Sequence, residues 1–242
     1  MQLLLMADGE VGLKITEFLL TDHVADVVMV VSPSEEIEDY VRSCRVDFIK
    51  YISQEDVLKR LPEGIDLGVL AWWPHILKSP LIEKPVRGFI NTHPSLLPWN
   101  RGKHYNFWAL VEQAPFGVTL HKVESGIDTG GIIAQKKIPY DWTDTGESLY
   151  RKAQNEMVSL FEATWPMLRA GRIEAAAQAA GGSFHVSSEI HEASRLDLDA
   201  TVRVRDLLNR LRARTFSPHP ACWFEEGDER YEVSIKIRKV DS

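Results

Sequence analysis

The stretch FINTHPSLLPWNRG, residues 89–102, decides how this chain reads. An apolar run ends in Asn91 and His93, the prolines Pro94 and Pro98 bracket Ser-Leu-Leu, and a polar turn comes next. On a β-strand, residues two apart project from the same face. A strand ending here therefore presents an amide and an imidazole to one place, before proline fixes the path of the next residues. Asn can donate to an oxyanion, and His can take a proton near neutral pH. Attack on an acyl carbon needs those two services when the nucleophile arrives with the substrate. On spacing alone, a structural Asn and a satisfied His remain the simpler reading. A second segment, GVTLHKVESGIDTGGIIAQ at 117–135, changes that balance.

Upstream, short apolar runs alternate with amphipathic segments. Residues 2–7, 26–32, 65–73 and 87–93 read as strands, and residues 11–20 and 34–43 as helices. This alternation implies a three-layer α/β unit with a mainly parallel sheet, whose ligands sit beyond the carboxyl ends of the strands. Downstream, 104–113 reads as a helix, and 116–125 and 131–140 as two long strands joined by the tight turn SGIDTGG. A long helix is expected from Asp144, with Glu147 completing a capping box, apolar positions 149, 153, 157, 160, 164 and 168, and a stop at Gly171. The Ala/Gly-rich residues 175–183 read as a linker. The expected organisation is a catalytic domain at 1–171 and a small α+β unit at 172–242. That unit holds a helix with apolar face Val204, Leu207, Leu208 and Leu211, then strands within 220–225 and 230–240.

Composition excludes several functions. A formal charge of −7 does not suit a chain that seeks phosphate backbones, so no nucleic-acid partner is expected. The arginines Arg203, Arg205, Arg210, Arg212 and Arg214 read as the solvated face of a helix. Cys44 and Cys222 provide neither a disulfide framework nor a metal knuckle. Neither the histidines at large nor His185, Glu189 and His191 have diagnostic ligand spacing, so no metal is expected. The segment ADGEVG at 7–12 has the place of a phosphate-binding glycine loop, but Asp8 and Glu10 would repel phosphate. No G-x-S-x-G elbow offers a nucleophile. Without a basic leader or a long apolar run, the expectation is a cytoplasmic protein with no membrane partner.

Taken together, the two segments resemble the formyltransferases that use N10-formyltetrahydrofolate. That family has a strand ending Asn-x-His-Pro-Ser-Leu-Leu-Pro, then a hairpin loop whose catalytic Asp lies in an Asp-x-Gly-x-Ile context. Asn91, His93 and Asp128 fall on those positions. The resemblance implies a Rossmann-like three-layer formyltransferase fold over residues 1–171, with N10-formyltetrahydrofolate as co-substrate. It also implies a catalytic trio in which Asn91 binds the oxyanion, His93 moves the proton and Asp128 orients His93. The folate pocket would be lined by Pro74, His75, Ile76 and Leu77, and by Val123, Glu124, Ser125, Gly126, Ile127 and Asp128. Of the adjacent Trp72 and Trp73, one reads as core.

The turn NRG at 100–102 and the C-terminal segments GGSFH and LRARTFSPHPACWF are similar to those of nucleotide-linked amino-sugar N-formyltransferases. The resemblance implies formyl transfer to the amine of a nucleotide-diphosphate amino sugar, with Trp99, Asn100, Arg101, Lys103 and His104 beside the sugar or its pyrophosphate, and a homodimer. Methionyl-tRNA formyltransferase shows an Arg-Gly-Ala-Pro turn and a longer C-terminal barrel, and the glycinamide-ribonucleotide enzyme a Gly/Ser/Asn-rich first loop; this chain departs from both. Formyl transfer to tRNA, hydrolysis of the folate without an acceptor, and a folate-binding sensor without turnover remain the alternatives.

Overall fold

The computed structural model describes residues 1–240. Its strands are β1 Leu3–Ala7, β2 Val27–Ser32, β3 Phe48–Lys50, β4 Leu67–Ala71, β5 Phe89–His93, β6 Arg101–Gly102, β7 Gly117–Lys122, β8 Ile132–Lys137, β9 Phe184–His185, β10 Cys222–Glu226 and β11 Glu229–Val233. The helices are α1 Gly9–Asp22, α2 Glu35–Ser43, α3 Gln54–Arg60, α4 Tyr105–Val111, α5 Gly146–Arg169, α6 Glu189–Ala193 and α7 Val204–Ala213. Contacts group the chain into two compact units that interleave in sequence. The first comprises Met1–His93, Val118–Lys136 and Gln154–Gln178; the second comprises Pro94–Gly117, Lys137–Ala153 and the chain from Ala179 onward. The expected division at 171/172 cuts the sequence once, whereas the units exchange segments several times. Among the described residues, no helix is long and apolar enough to cross a membrane.

The first unit holds a seven-stranded sheet in the order β3-β2-β1-β4-β5-β7-β8. Strands β1 to β5 run parallel, and β7 returns antiparallel to β5. The chain winds outward from β1 in one direction through β2 and β3, then in the other through β4 and β5. The crevice where that order reverses lies at the carboxyl ends of β1 and β4, one strand from Asn91 and His93. The strands are apolar on both sides because both faces are covered. Leu4, Met6, Met29, Val31 and Leu70 meet Val57 and Leu61 at α3, together with Trp73, Leu77 and Leu81. Alternation turns Leu3 and Leu5 the other way; α1 buries Val11, Ile15 and Leu19, and its Phe18 meets Phe161 of α5 edge-on at 6.3 Å. The α5 residues Phe161 and Trp165, absent from the expected apolar positions, are fully buried.

Asp26, buried in the turn before β2, accepts a hydrogen bond from Arg169 Nε at 2.5 Å and faces the Met1 amino group at 3.5 Å. Burial alone would raise its pKa, but the Arg169 hydrogen bond and the two positive charges outweigh that and hold the carboxyl below its ordinary value. Because the folded-state pKa is the lower one, the stabilisation is present above the unfolded pKa and is lost as pH falls through the folded value. Arg169 is half exposed and can be rehydrated, so Asp26→Asn should cost about 1–3 kcal/mol at neutral pH. Chemical denaturation should show the gap between wild type and variant closing below about pH 4.

Several local expectations are corrected in the second unit. The α5 cap lies one residue later than expected: Ser148 N–H donates to Thr145 Oγ1 at 3.2 Å, and Thr145 N–H to Ser148 Oγ at 3.0 Å. Asp144 instead accepts from Ser148 Oγ and pairs with Lys152, while Glu147 pairs with Arg151. Helix α7 buries only part of the expected apolar face: Leu211 is buried and Leu207 and Leu208 are half-buried. Val204 is 71% exposed, and the buried residues are Asn209, Leu211, Arg212 and Ala213. Arg212, only 4% exposed, is therefore no solvated-face residue. It donates to the carbonyls of Asp141 and Asp144 and to Asn209 Oδ1, which satisfies the charge inside. The strands β10 and β11 form an antiparallel ladder, shorter than the sequence pattern suggests.

Candidate active site

The site is built at the end of β5. Asn91 and His93 share one strand face, while Thr92 between them ties β5 to β4: the Trp72 N–H donates to Thr92 Oγ1 at 2.8 Å, and that hydroxyl donates to Leu70 O at 3.1 Å. Antiparallel β7 sets Asn91 opposite His121 and His93 opposite Thr119, so four polar side chains occupy one patch of the sheet. His93 is 5% exposed and His121 2%. The expected tight turn is a loop from 123 to 131, which carries Asp128 back over that patch in a left-handed backbone conformation, φ +53°. Its side chain is 12% exposed, and its Oδ1 lies 3.4 Å from His93 Nδ1 and 3.6 Å from His121 Nε2.

This brings Asn91, His93 and Asp128 together. A carboxylate only accepts, so Asp128 takes the Nδ1 proton of His93 and leaves Nε2 as the basic nitrogen. The carboxylate also favours the imidazolium formed when Nε2 accepts a proton. One nitrogen or oxygen from each of His93, His121 and Asp128 lies within 4.8 Å of the others, a separation that could admit a metal ion. The His121 lone pair, however, already meets the Asn91 amide at 3.1 Å, and the carboxylate already faces His93.

Reasoning from sequence missed two contributors. His121 interrupts the apolar run of β7 two residues after Thr119, and a buried imidazole on that face was the available signal. Gln178 is the other. Its Nε2 donates to the carbonyls of Asp128 and Gly130 at 2.7 and 2.9 Å and so clasps the loop that carries Asp128. Residues 175–183 are thus not a plain linker. Ala176 and Ile132 exchange backbone hydrogen bonds of 2.8 Å each way, extending β8 with a short antiparallel bridge. Small side chains permit that approach. Gly130 is likewise required, since a Cβ there would stand 1.8 Å from Lys122 O. Gln178→Ala should leave folding intact yet lower kcat about tenfold, because the loop loses two hydrogen bonds that hold Asp128 in place; steady-state kinetics beside a melting curve would test this.

The proposed folate segments rest on one core cluster. Trp73 is the core tryptophan, Leu77 is buried beside it, and Tyr51 and Val123 pack against the same cluster. Trp72 departs from the strand with φ +58° and stays half-buried. His75 stacks on Tyr51 with centroids 4.8 Å apart, and the segment through Pro74 and Ile76 is pinned by Gln54, which donates to Ile76 O and accepts from the Lys78 N–H. Ile76, Glu124, Ser125, Gly126 and Ile127 are exposed. An aromatic wall bordered by exposed peptide groups suits a flat heterocycle with a hydrogen-bonding edge.

Trp99, Asn100, Arg101, Lys103 and His104 belong to the second unit. Asn100 is buried, and its amide nitrogen donates to Glu112 Oε2 and Ser183 Oγ. Arg101 opens β6 and Lys103 follows it, and their N–H groups donate to Ser183 O and His185 O at 3.0 Å each. Burial, then the charge of Arg214, holds the His104 pKa below its ordinary value. His185, weighed and set aside as a metal ligand, is clamped between Glu112 and Glu189 at 2.8 Å each and stacks on Trp108 at 3.8 Å.

Comparison with known proteins shows which families the chain matches. Residues 8–164 match the family described as Formyl transferase, and residues 189–239 match the N-formyltransferase dimerization C-terminal domain. A dTDP-4-amino-4,6-dideoxyglucose formyltransferase of Mycobacterium bovis is 28% identical over 148 residues, covering 61% of this chain and 63% of the relative. The chain thus spans less than two thirds of the length of the curated relatives it matches first. A sugar N-formyltransferase from a Shewanella species superposes with TM-score 0.83 at 22% identity, covering 100% of this chain and 99% of the other. The formyltransferase PseJ from Anoxybacillus kamchatkensis, solved with UDP-4,6-dideoxy-4-formamido-L-AltNAc and tetrahydrofolate, gives TM-score 0.57 at 25% identity, covering 79% and 89%.

Proposed function

We propose, for a chain that belongs to the formyl transferase family, that it transfers a formyl group from N10-formyltetrahydrofolate to the amine of a nucleotide-diphosphate-linked amino sugar. The observation that carries the reading is the convergence of Asn91, His93 and Asp128 at the end of β5, with an amide donor and a carboxylate-backed imidazole on one patch. The folate supplies the formyl carbon and departs as tetrahydrofolate. Asn91 Nδ2 donates to the oxygen that gains charge as the sugar amine bonds to that carbon. His93 Nε2 takes the proton the amine loses and returns it to the departing nitrogen as the old C–N bond breaks. Asp128 holds the ring and balances its transient positive charge.

The choice of acceptor rests on the relatives. The matched mycobacterial protein is named for a dTDP-amino sugar, and the PseJ structure holds a UDP-formamido sugar beside tetrahydrofolate. In this reading Arg101 and Lys103 meet the pyrophosphate, Trp99 and His104 border the sugar, and Asn100 shapes their turn. Residues 1–171 carry the chemistry, with Gln178 reaching back to the catalytic loop, and residues 172–242 serve substrate contact and pairing into a homodimer. The exposed apolar residues Leu198, Val202 and Val204 fit a surface used for self-association.

The test is direct. The protein is incubated with N10-formyltetrahydrofolate and dTDP-, UDP- or GDP-linked amino sugars, with charged initiator tRNA, or with no acceptor. A product heavier by one carbonyl in the sugar arm supports the proposal. Formylated tRNA, or folate-dependent formate without acceptor, replaces it with one of the alternatives. Folate binding with no product in any arm marks a sensor.

A further inference from the structure

We propose that His121 is a positioning residue for the transfer, fixing which end of the Asn91 carboxamide faces the reacting group; the inference rests on the formyl-transfer reading above. The far side of the imidazole sets its tautomer. His121 Nδ1 lies 2.8 Å from Lys122 O, and a carbonyl can only accept, so the proton sits on Nδ1. That carbonyl is itself held in place: Gly130 packs directly against it, and the N–H of the same peptide group, on Val123, donates to Phe89 O at 2.9 Å. In the neutral ring, Nε2 is then a bare lone pair. It points at the Asn91 amide, 3.1 Å away.

Only the Nδ2 end of that amide can face a lone pair. The Oδ1 end would set two acceptors against each other. Nδ2 carries two hydrogens, so one meets His121 and the second remains for the oxygen that gains charge during transfer. The Asn91 amide is otherwise free to turn through half a circle at little cost. Turned, it would present a carbonyl oxygen where negative charge develops and would oppose the reaction. The imidazole tautomer thus selects a donor over an acceptor. Asp128 Oδ1 stands 3.6 Å from the same Nε2, beyond a good hydrogen bond, and is directed to His93 at 3.4 Å. The remaining neighbour, the His93 ring, meets His121 edge-on at 6.0 Å. His121 itself touches no substrate. Its effect passes through Asn91.

His121→Leu fills the space but removes the acceptor. It should lower kcat about tenfold, the worth of one orienting hydrogen bond, while KM for folate and sugar holds. His121→Gln, whose side-chain oxygen reaches the place of Nε2, should recover most of the rate. In an Asn91→Ala background, His121→Leu should change nothing further. An equal loss in both backgrounds overturns the proposal, as does a Gln variant no better than Leu. Should the leucine variant not fold, nitrogen NMR of the wild-type imidazole decides: a proton on Nδ1 alone supports the proposal, and one on Nε2 alone sinks it. A wild type that formylates no acceptor overturns the functional reading instead, and the tautomer measurement still tests the orientation independently.

Discussion

Replacing His93 with alanine is expected to lower kcat by about 10²–10⁴-fold, the usual contribution of a positioned general base. Binding of a stable reduced-folate analogue should be nearly unchanged, because the proposed folate segments rest on the Trp73 cluster rather than on His93. Asp128→Asn should cost nearly as much. The amide can still meet His93 Nδ1, but it carries no charge to favour the imidazolium, and its own NH₂ end can stabilise the wrong tautomer. The two residues touch at 3.4 Å and serve one proton transfer, so the double variant should be no worse than the poorer single variant. Single-turnover kinetics on all three proteins is the measurement. Losses that multiply in full would mean that His93 and Asp128 work independently, and the carboxylate-backed base would have to be given up.

That pairing marks the boundary of what sequence reasoning could reach. Asn91 and His93 were legible because strand periodicity is local: two residues on one face need no partner to be recognised. The parallel sheet was legible for a similar reason, since β1, β2, β4 and β5 are nearly continuous apolar runs. β3, with three residues, is too short to show a pattern, and its partner helix α3 went unread with it. His121 was hidden because its meaning lies in register. Only the pairing of Asn91 with His121 across β5 and β7 turns a lone buried imidazole into a partner for the amide.

Elsewhere the residue type itself misled. Alanine and glycine carry no periodic signal, so 175–183 looked like a linker, although small side chains are what let Ala176 pair with Ile132 and bring Gln178 to the Asp128 loop. Arg212 looked solvated because arginine on an amphipathic helix usually is. The carbonyls of Asp141 and Asp144 that receive it come from a distant segment. The α5 cap shifted from Asp144 to Thr145 because Asp144 is engaged by Lys152, an interaction that a capping pattern does not encode. In each case local chemistry was read correctly as a tendency, and a partner outside the local pattern decided the outcome.

The second large effect concerns the oxyanion. Asn91→Ala should reduce kcat by about 10²–10³-fold, the range found when one preorganised donor is removed from an oxyanion site. The loss should fall on kcat rather than on KM, since the hydrogen bond strengthens only as charge reaches the formyl oxygen. Stability should change little: Asn91 is half-buried, and its amide gives His121 one hydrogen bond that water can replace. Asn91→Asp is the sharper comparison. It keeps the size of the side chain but replaces the donor with an acceptor of negative charge, so it should be slower than the alanine variant despite being the closer isostere. Measuring kcat, KM for folate and thermal unfolding for both variants separates the possibilities. A rise in the folate KM with kcat intact would make Asn91 a binding residue, and an aspartate variant as active as wild type would mean that no oxyanion forms beside it.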